Sequence, residues 1–150
     1  AECFEWFCSN RSELESRWLG LKKKLLDSLE DVEHCFVLGT PDESLPNTLN
    51  LGFQGISAES LLICLDLDGI AVSSGSACSS GAMEASHVLL AMGYSHEQAK
   101  SSLRISMGWN TSEEDIEELS RQLIHHVKRL TPISGKSDSK IQIPEPVTEI

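Results

Sequence analysis

The stretch GISAESLLICLDLDGIAVSSGSACSSG, residues 55–81, holds a helix, a stop, a strand and a segment that belongs to neither. Ser57 stands where a helix needs a cap, because its hydroxyl can accept a bond from an unpaired amide of the first turn. AESLLICLDL then reads as a short helix. Gly69 ends it, since glycine enters the left-handed conformation of a helix stop without strain. GIAVSS, 69–74, reads as a brief strand. It runs straight into SSGSACSSG, 73–81, where seven of nine residues are Ser or Gly and Cys78 sits alone in the middle.

Upstream, TLNLGF (48–53) alternates apolar and polar residues, the pattern of a half-buried strand. HCFVLG (34–39) reads as a second strand, and TPDESLPN (40–47) between them as a loop rich in turn formers. Leu14, Trp18, Leu21, Leu25 and Leu29 recur at helical spacing. With Ser12 and Glu15 as a capping box they predict a helix over about 11–30. Lys22, Lys23 and Lys24 on that helix read as a solvated face.

Downstream, ASHVLLAMG (85–93) and SHEQAKSS (95–102) read as two short helices, and LRISMG (103–108) as an alternating strand. Ile116, Leu119, Leu123, Val127 and Leu130 form the apolar stripe of a last helix, which Thr111 and Glu114 are expected to cap. Acids crowd its first turn and His125, His126, Lys128 and Arg129 its last, both favourable to the helix dipole. Adjacent histidines point in different directions on a helix, so a metal pair is not expected and no metal site is read. Beyond Thr131 the pattern is lost, and 131–150 reads as a polar, mobile tail. The order of elements predicts an α+β domain: a small, mostly antiparallel sheet with helices packed on one face.

The chain of 150 residues is long enough for one domain with a real core. A formal charge of −11 argues against nucleic acid or an anionic membrane as partner, since both require neutralising positive charge. No apolar run approaches the length of a membrane span. The start, AECFEWFCSN, has no Met and reads as the middle of something longer. Cysteines fall at 3, 8, 35, 64 and 78, an odd count with no CxxC pair, which speaks against zinc or a disulfide framework. Cys35 and Cys64 lie in apolar runs and read as small buried hydrophobes. Cys78 has surroundings that packing does not explain.

A thiol among Ser, Ala and Gly suits a nucleophile that travels, with Gly75 and Gly81 freeing the backbone at both ends. It attacks as thiolate, and no Lys, Arg or His lies within the segment to activate it. A linker with an incidental cysteine fits those residues equally well. On the LRISMG strand, Arg104 shares the polar side with Ser106, where a guanidinium can hold a carboxylate with two parallel bonds. An exposed strand residue or a structural ion pair is the ordinary reading of such an arginine.

Taken together, LPNTLNLGF (45–53), the 55–81 stretch, SHVLLAMG (86–93) and SLRISMGWNTSEEDIEEL (102–119) resemble the C-terminal part of cysteine desulfurases of the NifS/IscS type. The resemblance covers roughly residues 10–130, and SSGSACSSG is similar to the long-loop class of that family. It implies the small C-terminal domain of a pyridoxal phosphate enzyme, residues 1–130 here, with 131–150 as tail. The cofactor would serve as electron sink for L-cysteine bound as an aldimine. By position, Cys78 would accept the sulfur as a persulfide, leaving L-alanine, and Arg104 would bind the substrate carboxylate. Ser73, Ser74, Gly75, Ser76, Ala77, Ser79, Ser80 and Gly81 would form the mobile loop. The family's cofactor lysine lies in a large domain that this sequence lacks, so pyridoxal phosphate would be bound by a large-domain polypeptide. The three adjacent lysines lack the family's His-Lys context. Implied partners are a sulfur acceptor, such as an iron–sulfur scaffold or a thiolation protein, and a second copy in a homodimer of the complete enzyme. The tail after Thr131 does not resemble the segment that docks scaffolds in bacterial relatives. Cytoplasm is the expected compartment, with plastid and mitochondrion also compatible. Two other readings stay open: a non-catalytic relay accepting persulfide in trans, and a regulatory or dimerisation domain.

Overall fold

The computed structural model describes residues 2–74 and 84–131. Cys78, with Gly75, Ser76, Ala77, Ser79, Ser80 and Gly81, and the tail expected after Thr131 lie outside the described residues. The elements are α1 (Glu2–Leu29), β1 (Cys35–Leu38), β2 (Thr48–Phe53), α2 (Ala58–Leu67), β3 (Ser73–Ser74), α3 (His87–Ala91), α4 (His96–Lys100), β4 (Ser102–Ser106) and α5 (Glu113–Leu130). A single 3-10 turn, Pro41–Glu43, interrupts the loop between β1 and β2. The four strands form one sheet in the order β1-β2-β4-β3, and every pairing is antiparallel. The fold is thus α+β, as the order of elements predicts.

The alternation along the strands builds the core. Leu49, Leu51 and Phe53 of β2 and Leu103 and Ile105 of β4 point to one face, where α1, α2 and α5 cover them. Leu25, Phe53, Leu61, Leu65, Leu103 and Leu123 are completely buried. Each such side chain contributes about 1.5–3 kcal/mol relative to leaving it in water. On the opposite face Phe36 and Leu38 of β1 pack with Leu89, Tyr94 and Ala99 of the short α3–α4 pair. The tip of the Phe36 ring reaches over Gly52: a Cβ added there would come within 2.3 Å of it, so any larger residue forces the ring to move. The Tyr94 hydroxyl accepts a bond from the Gly39 amide at 2.7 Å and ties the α3–α4 corner to the end of β1.

Gly69 stops α2 as expected. It has φ +79°, its amide bonds back to Asp66, and the Ile70 amide reaches the Leu65 carbonyl. Those two bonds satisfy carbonyls that the helix end would otherwise leave unpaired.

Several sequence expectations are corrected. α1 begins at Glu2 rather than near residue 11, so Ser12 and Glu15 lie inside a helix and cap nothing. The capping box of α5 is Ser112 with Asp115, not Thr111 with Glu114. The Thr111 hydroxyl instead accepts from the Gly108 amide, closing the preceding turn. The strand expected over 69–74 shrinks to Ser73–Ser74, because only those two residues find pairing positions on β4. Cys35 and Cys64 are only half-buried. Lys22 is not on a solvated face: it is buried, and its ammonium donates to the Pro41 carbonyl, Ser44 Oγ and the Leu45 carbonyl. Lys23 and Lys24 do face solvent, paired with Asp27 and with Glu113 and Glu117 of α5.

Candidate functional site

β4 is the strand that splits core from site. Its odd positions sink into the helical layer, and Arg104 and Ser106 face away and are exposed. Across the sheet the register lines up a polar row. Asn50 of β2 is the cross-strand partner of Arg104 on one side, and Ser73 of β3 is its partner on the other. Among the described residues no hydrogen bond or ion pair engages the Arg104 guanidinium. The ordinary alternative of a structural ion pair is therefore absent among those residues. What remains is a planar guanidinium whose donors have no partner among the described residues, which suits a carboxylate held through two parallel bonds.

Arg104 stands in a groove of about 420 Å³. Asn50 shares its floor, Thr40, Glu43 and Ser44 of the β1–β2 loop form one wall, and Ser86 and Leu89 at the start of α3 form another. Lys22 fixes the first wall. Its three donated bonds, 2.8 to 3.1 Å long, hold the turn from Pro41 to Leu45 against α1. Burial pushes its ammonium below the ordinary lysine range, partly opposed by nearby Asp42.

Described residues on both sides of the segment carrying Cys78 neighbour this groove: Ser73 through its pairing with Arg104, and Ser86 as a lining residue. Ser73, on its N-terminal side, is paired directly with Arg104. Ser86, three residues past the last undescribed position, is buried in the groove wall as the N-cap of α3. Of the expected site residues, the structure thus brings Arg104 and Ser73 together. It puts Ser74 on the other side, buried next to the core beside Leu103. Asn50, Ser86 and the 40–44 wall were not singled out from sequence. Asn50 was legible in principle, because strand alternation puts it on the same face as Arg104 once the two strands are paired. The loop wall was not, because it depends on where Lys22 is held.

His126 is buried and its Nε2 lies 2.6 Å from Asp68 Oδ2 at the end of α2, which joins α2 to α5. Arg129 donates to Cys64 Sγ at 3.1 Å across the same helix pair.

A pyridoxal phosphate site requires a lysine for the imine and a cradle for the phosphate. The described residues do not fit it. No lysine lines the Arg104 groove. Lys22, Lys23 and Lys24 are each committed to carbonyl, hydroxyl or carboxylate partners elsewhere.

Comparison with known proteins bears on the same segments. The family model for aminotransferase class-V matches residues 2–119. A cysteine desulfurase of Azotobacter chroococcum is 43% identical over 117 residues, 75% of this chain and 30% of that one. The cysteine desulfurase NifS of Azotobacter vinelandii is 44% identical over 103 residues, 69% of this chain and 26% of its own. Among solved structures, a NifS-like protein superposes with a TM-score of 0.70 at 27% identity, covering 82% of this chain and 30% of that one. A NifS-like protein from Rickettsia africae gives 0.68 at 30% identity, with 81% and 31% covered. The chain spans about a third of the length of these relatives. It belongs to the aminotransferase class-V family, as a relative of the NifS- and IscS-type cysteine desulfurases.

Proposed function

We propose that residues 1–130 are the small C-terminal domain of a cysteine desulfurase, with 131–150 as a polar tail. The domain works with a large-domain polypeptide that holds pyridoxal phosphate. Arg104 binds the carboxylate of L-cysteine. Cys78 takes its sulfur, so that L-cysteine and the Cys78 thiol give L-alanine and a Cys78 persulfide. The carbon–sulfur bond of the substrate breaks and a sulfur–sulfur bond forms. All atoms are accounted for, and the two electrons lost by sulfur are gained by carbon. The persulfide then passes to an acceptor such as an iron–sulfur scaffold or a thiolation protein. In the complete enzyme two copies form a homodimer in the cytoplasm.

The observation that supports this reading most is the cross-strand pairing of Ser73 with Arg104, whose guanidinium has no partner among the described residues. Cys78 is five residues along the chain from Ser73. At about 3.5 Å per extended residue, that tether lets the thiol reach about 17 Å from a fixed point beside the arginine. A segment of Ser, Gly and Ala offers little steric resistance to such travel. The loop's lack of any base fits a division of labour in which activation belongs to the cofactor-bearing partner.

The test combines this chain with its large-domain partner, pyridoxal phosphate and L-cysteine, followed by intact-mass and peptide mapping. One added sulfur atom on Cys78, and loss of alanine formation in Cys78→Ser, are expected. Full turnover in Cys78→Ser, or sulfur on another cysteine, overturns the reading. Labelling of Cys78 by an unrelated desulfurase, with no turnover in the presence of the partner, establishes the relay instead.

A further inference from the structure

Two more polar groups line the Arg104 groove without a partner among the described residues. The first is Asn50. Along β2 and β4 the Phe53 amide donates to the Ser101 carbonyl and the Met107 amide to the Asn47 carbonyl. With the register of Asn50 on Arg104, the hydrogen-bonded positions of β2 are therefore the odd-numbered ones. Asn50 and Arg104 form a non-hydrogen-bonded pair, in which facing side chains stand closest, with Cβ atoms about 4.5–5.5 Å apart. The Asn50 side-chain amide makes no hydrogen bond among the described residues.

The second is Ser86. Only 5% of it is exposed, yet its hydroxyl makes no bond to the first turn of α3 and has no other partner among the described residues. A hydroxyl buried that way costs free energy unless water or a ligand reaches it. Among the described residues His126 Nδ1 is the one side-chain nitrogen or oxygen sealed without a partner. The Ser86 hydroxyl is therefore not sealed, and the opening it meets is the Arg104 groove, which Ser86 lines.

An ionised carboxylate accepts about four hydrogen bonds, two on each oxygen. The fork of a guanidinium satisfies one on each oxygen. Two acceptor positions remain, and in a groove walled partly by Leu38 and Leu89 water serves them poorly. Asn50 offers an N–H and Ser86 an O–H on the same groove as the fork. Glu43, the acid in the lining, is exposed, where solvent screens its charge. We propose that Asn50 and Ser86 are substrate-binding residues, the Asn50 amide and the Ser86 hydroxyl each donating one hydrogen bond to the carboxylate that Arg104 holds. The inference rests on the reading of Arg104 as the carboxylate site of a cysteine desulfurase, and deepens it. It makes the groove selective for an amino acid over the amine that lacks the carboxylate.

The test uses the natively purified complete protein, loaded with cofactor, and two probes. L-Alanine carries the carboxylate, and cysteamine is cysteine without it. Binding of each is measured by isothermal titration calorimetry in the parent and in Ser86→Ala, Asn50→Ala and Asn50→Asp. Loss of one hydrogen bond to a charged group is expected to weaken L-alanine about 10- to 100-fold in Ser86→Ala and in Asn50→Ala. Asn50→Asp keeps the size of the side chain but sets an anion beside the carboxylate, and is expected to weaken L-alanine further than Asn50→Ala does. Cysteamine affinity is expected to be unchanged in all three, which a variant damaged in its packing would not show. L-Alanine affinity unchanged in Ser86→Ala or in Asn50→Ala overturns the proposal, and so does cysteamine weakened as much as L-alanine in Asn50→Asp. Cysteine turnover on the same samples separates the two readings. Turnover by the parent, with L-alanine affinity unchanged in the variants, refutes these two contacts alone. Selective loss of L-alanine in the variants, with no cysteine turnover by the parent, refutes the desulfurase reading alone.

Discussion

The two faces of the sheet are built from the same strands and end in opposite chemistry. On one, Leu103 and Ile105 of β4 are sealed under α1, α2 and α5. On the other, one residue away, Arg104 stands exposed with no partner among the described residues. The short α3–α4 pair covers only the β1 side of that second face, over Phe36 and Leu38. Among the described residues it leaves the β4 side open as a groove. Among the described residues, β4 is packed on one face and exposed on the other, as an antiparallel sheet allows. Period-two alternation delivers both outcomes from a single five-residue strand.

The largest effect tests that contrast directly. Leu103→Ala is expected to lower stability by about 2–5 kcal/mol in urea unfolding, because it opens a cavity in a completely buried site. Arg104→Ala is expected to stay within about 0.5 kcal/mol of the parent, as exposed positions without partners do. In the assembled enzyme it should abolish cysteine turnover. A loss of stability in Arg104→Ala comparable to that of Leu103→Ala would break the distinction between the two faces.

The covered part of the second face comes next. Gly52→Ala forces a methyl group into the Phe36 ring and is expected to cost about 1–3 kcal/mol, the usual range for overpacking. In a Phe36→Ala background the same change should cost much less, which a double-mutant cycle measures. An unchanged cost would mean that the backbone of Gly52, not the ring above it, makes glycine necessary.

Lys22 sharpens the view of the groove wall. Lys22→Met removes the three bonds its ammonium donates to the Pro41 carbonyl, Ser44 Oγ and the Leu45 carbonyl, for an expected loss of about 1–3 kcal/mol. The parent also has a pH signature. Its folded pKa lies below the ordinary lysine value, so in that window the unfolded chain binds more protons. Stability gains a rising component as pH climbs from the lowered pKa to the ordinary one. Urea titrations across the alkaline range should show that component in the parent and not in Lys22→Met.

The smallest effect concerns Cys35, on the core side of β1. Burial pushes its thiol up to about 11. Its contribution to stability is level below the ordinary thiol value of 9.0 and falls as pH rises from there toward about 11, because only the unfolded chain ionises in that interval. N-ethylmaleimide should modify Cys3 and Cys8 well before Cys35 at neutral pH. Equal rates would mean that β1 opens readily at the sheet edge.

Much of this was legible in single residues. Ser57 and Gly69 bound α2 as read, because a cap and a stop each depend only on local backbone chemistry. The stripe of α5 and the alternation of β2 predicted their buried faces. The misreadings share a cause. Ser12 with Glu15 has the form of a cap but lies within α1, whose helix extends through the apolar CFEWF run. Thr111 with Glu114 and Ser112 with Asp115 are two registers of one pattern, and the Gly108 amide, by engaging the Thr111 hydroxyl, leaves Ser112 to cap. Lys22, Lys23 and Lys24 are identical in sequence terms. Only the return of the Pro41–Leu45 turn over α1 distinguishes the buried one.

Local chemistry and periodicity, readable residue by residue, were enough for the α+β class and for Arg104 as a polar strand residue. The strand order β1-β2-β4-β3 was not readable, and neither were its consequences for the site. Asn50 and Ser73 flank Arg104 because β4 inserts between β2 and β3, although 23 residues separate Asn50 from Ser73 in the chain and 31 separate Ser73 from Arg104. Pairing at such separations is decided by which apolar faces can be buried together, a property of the assembled core rather than of any segment within it.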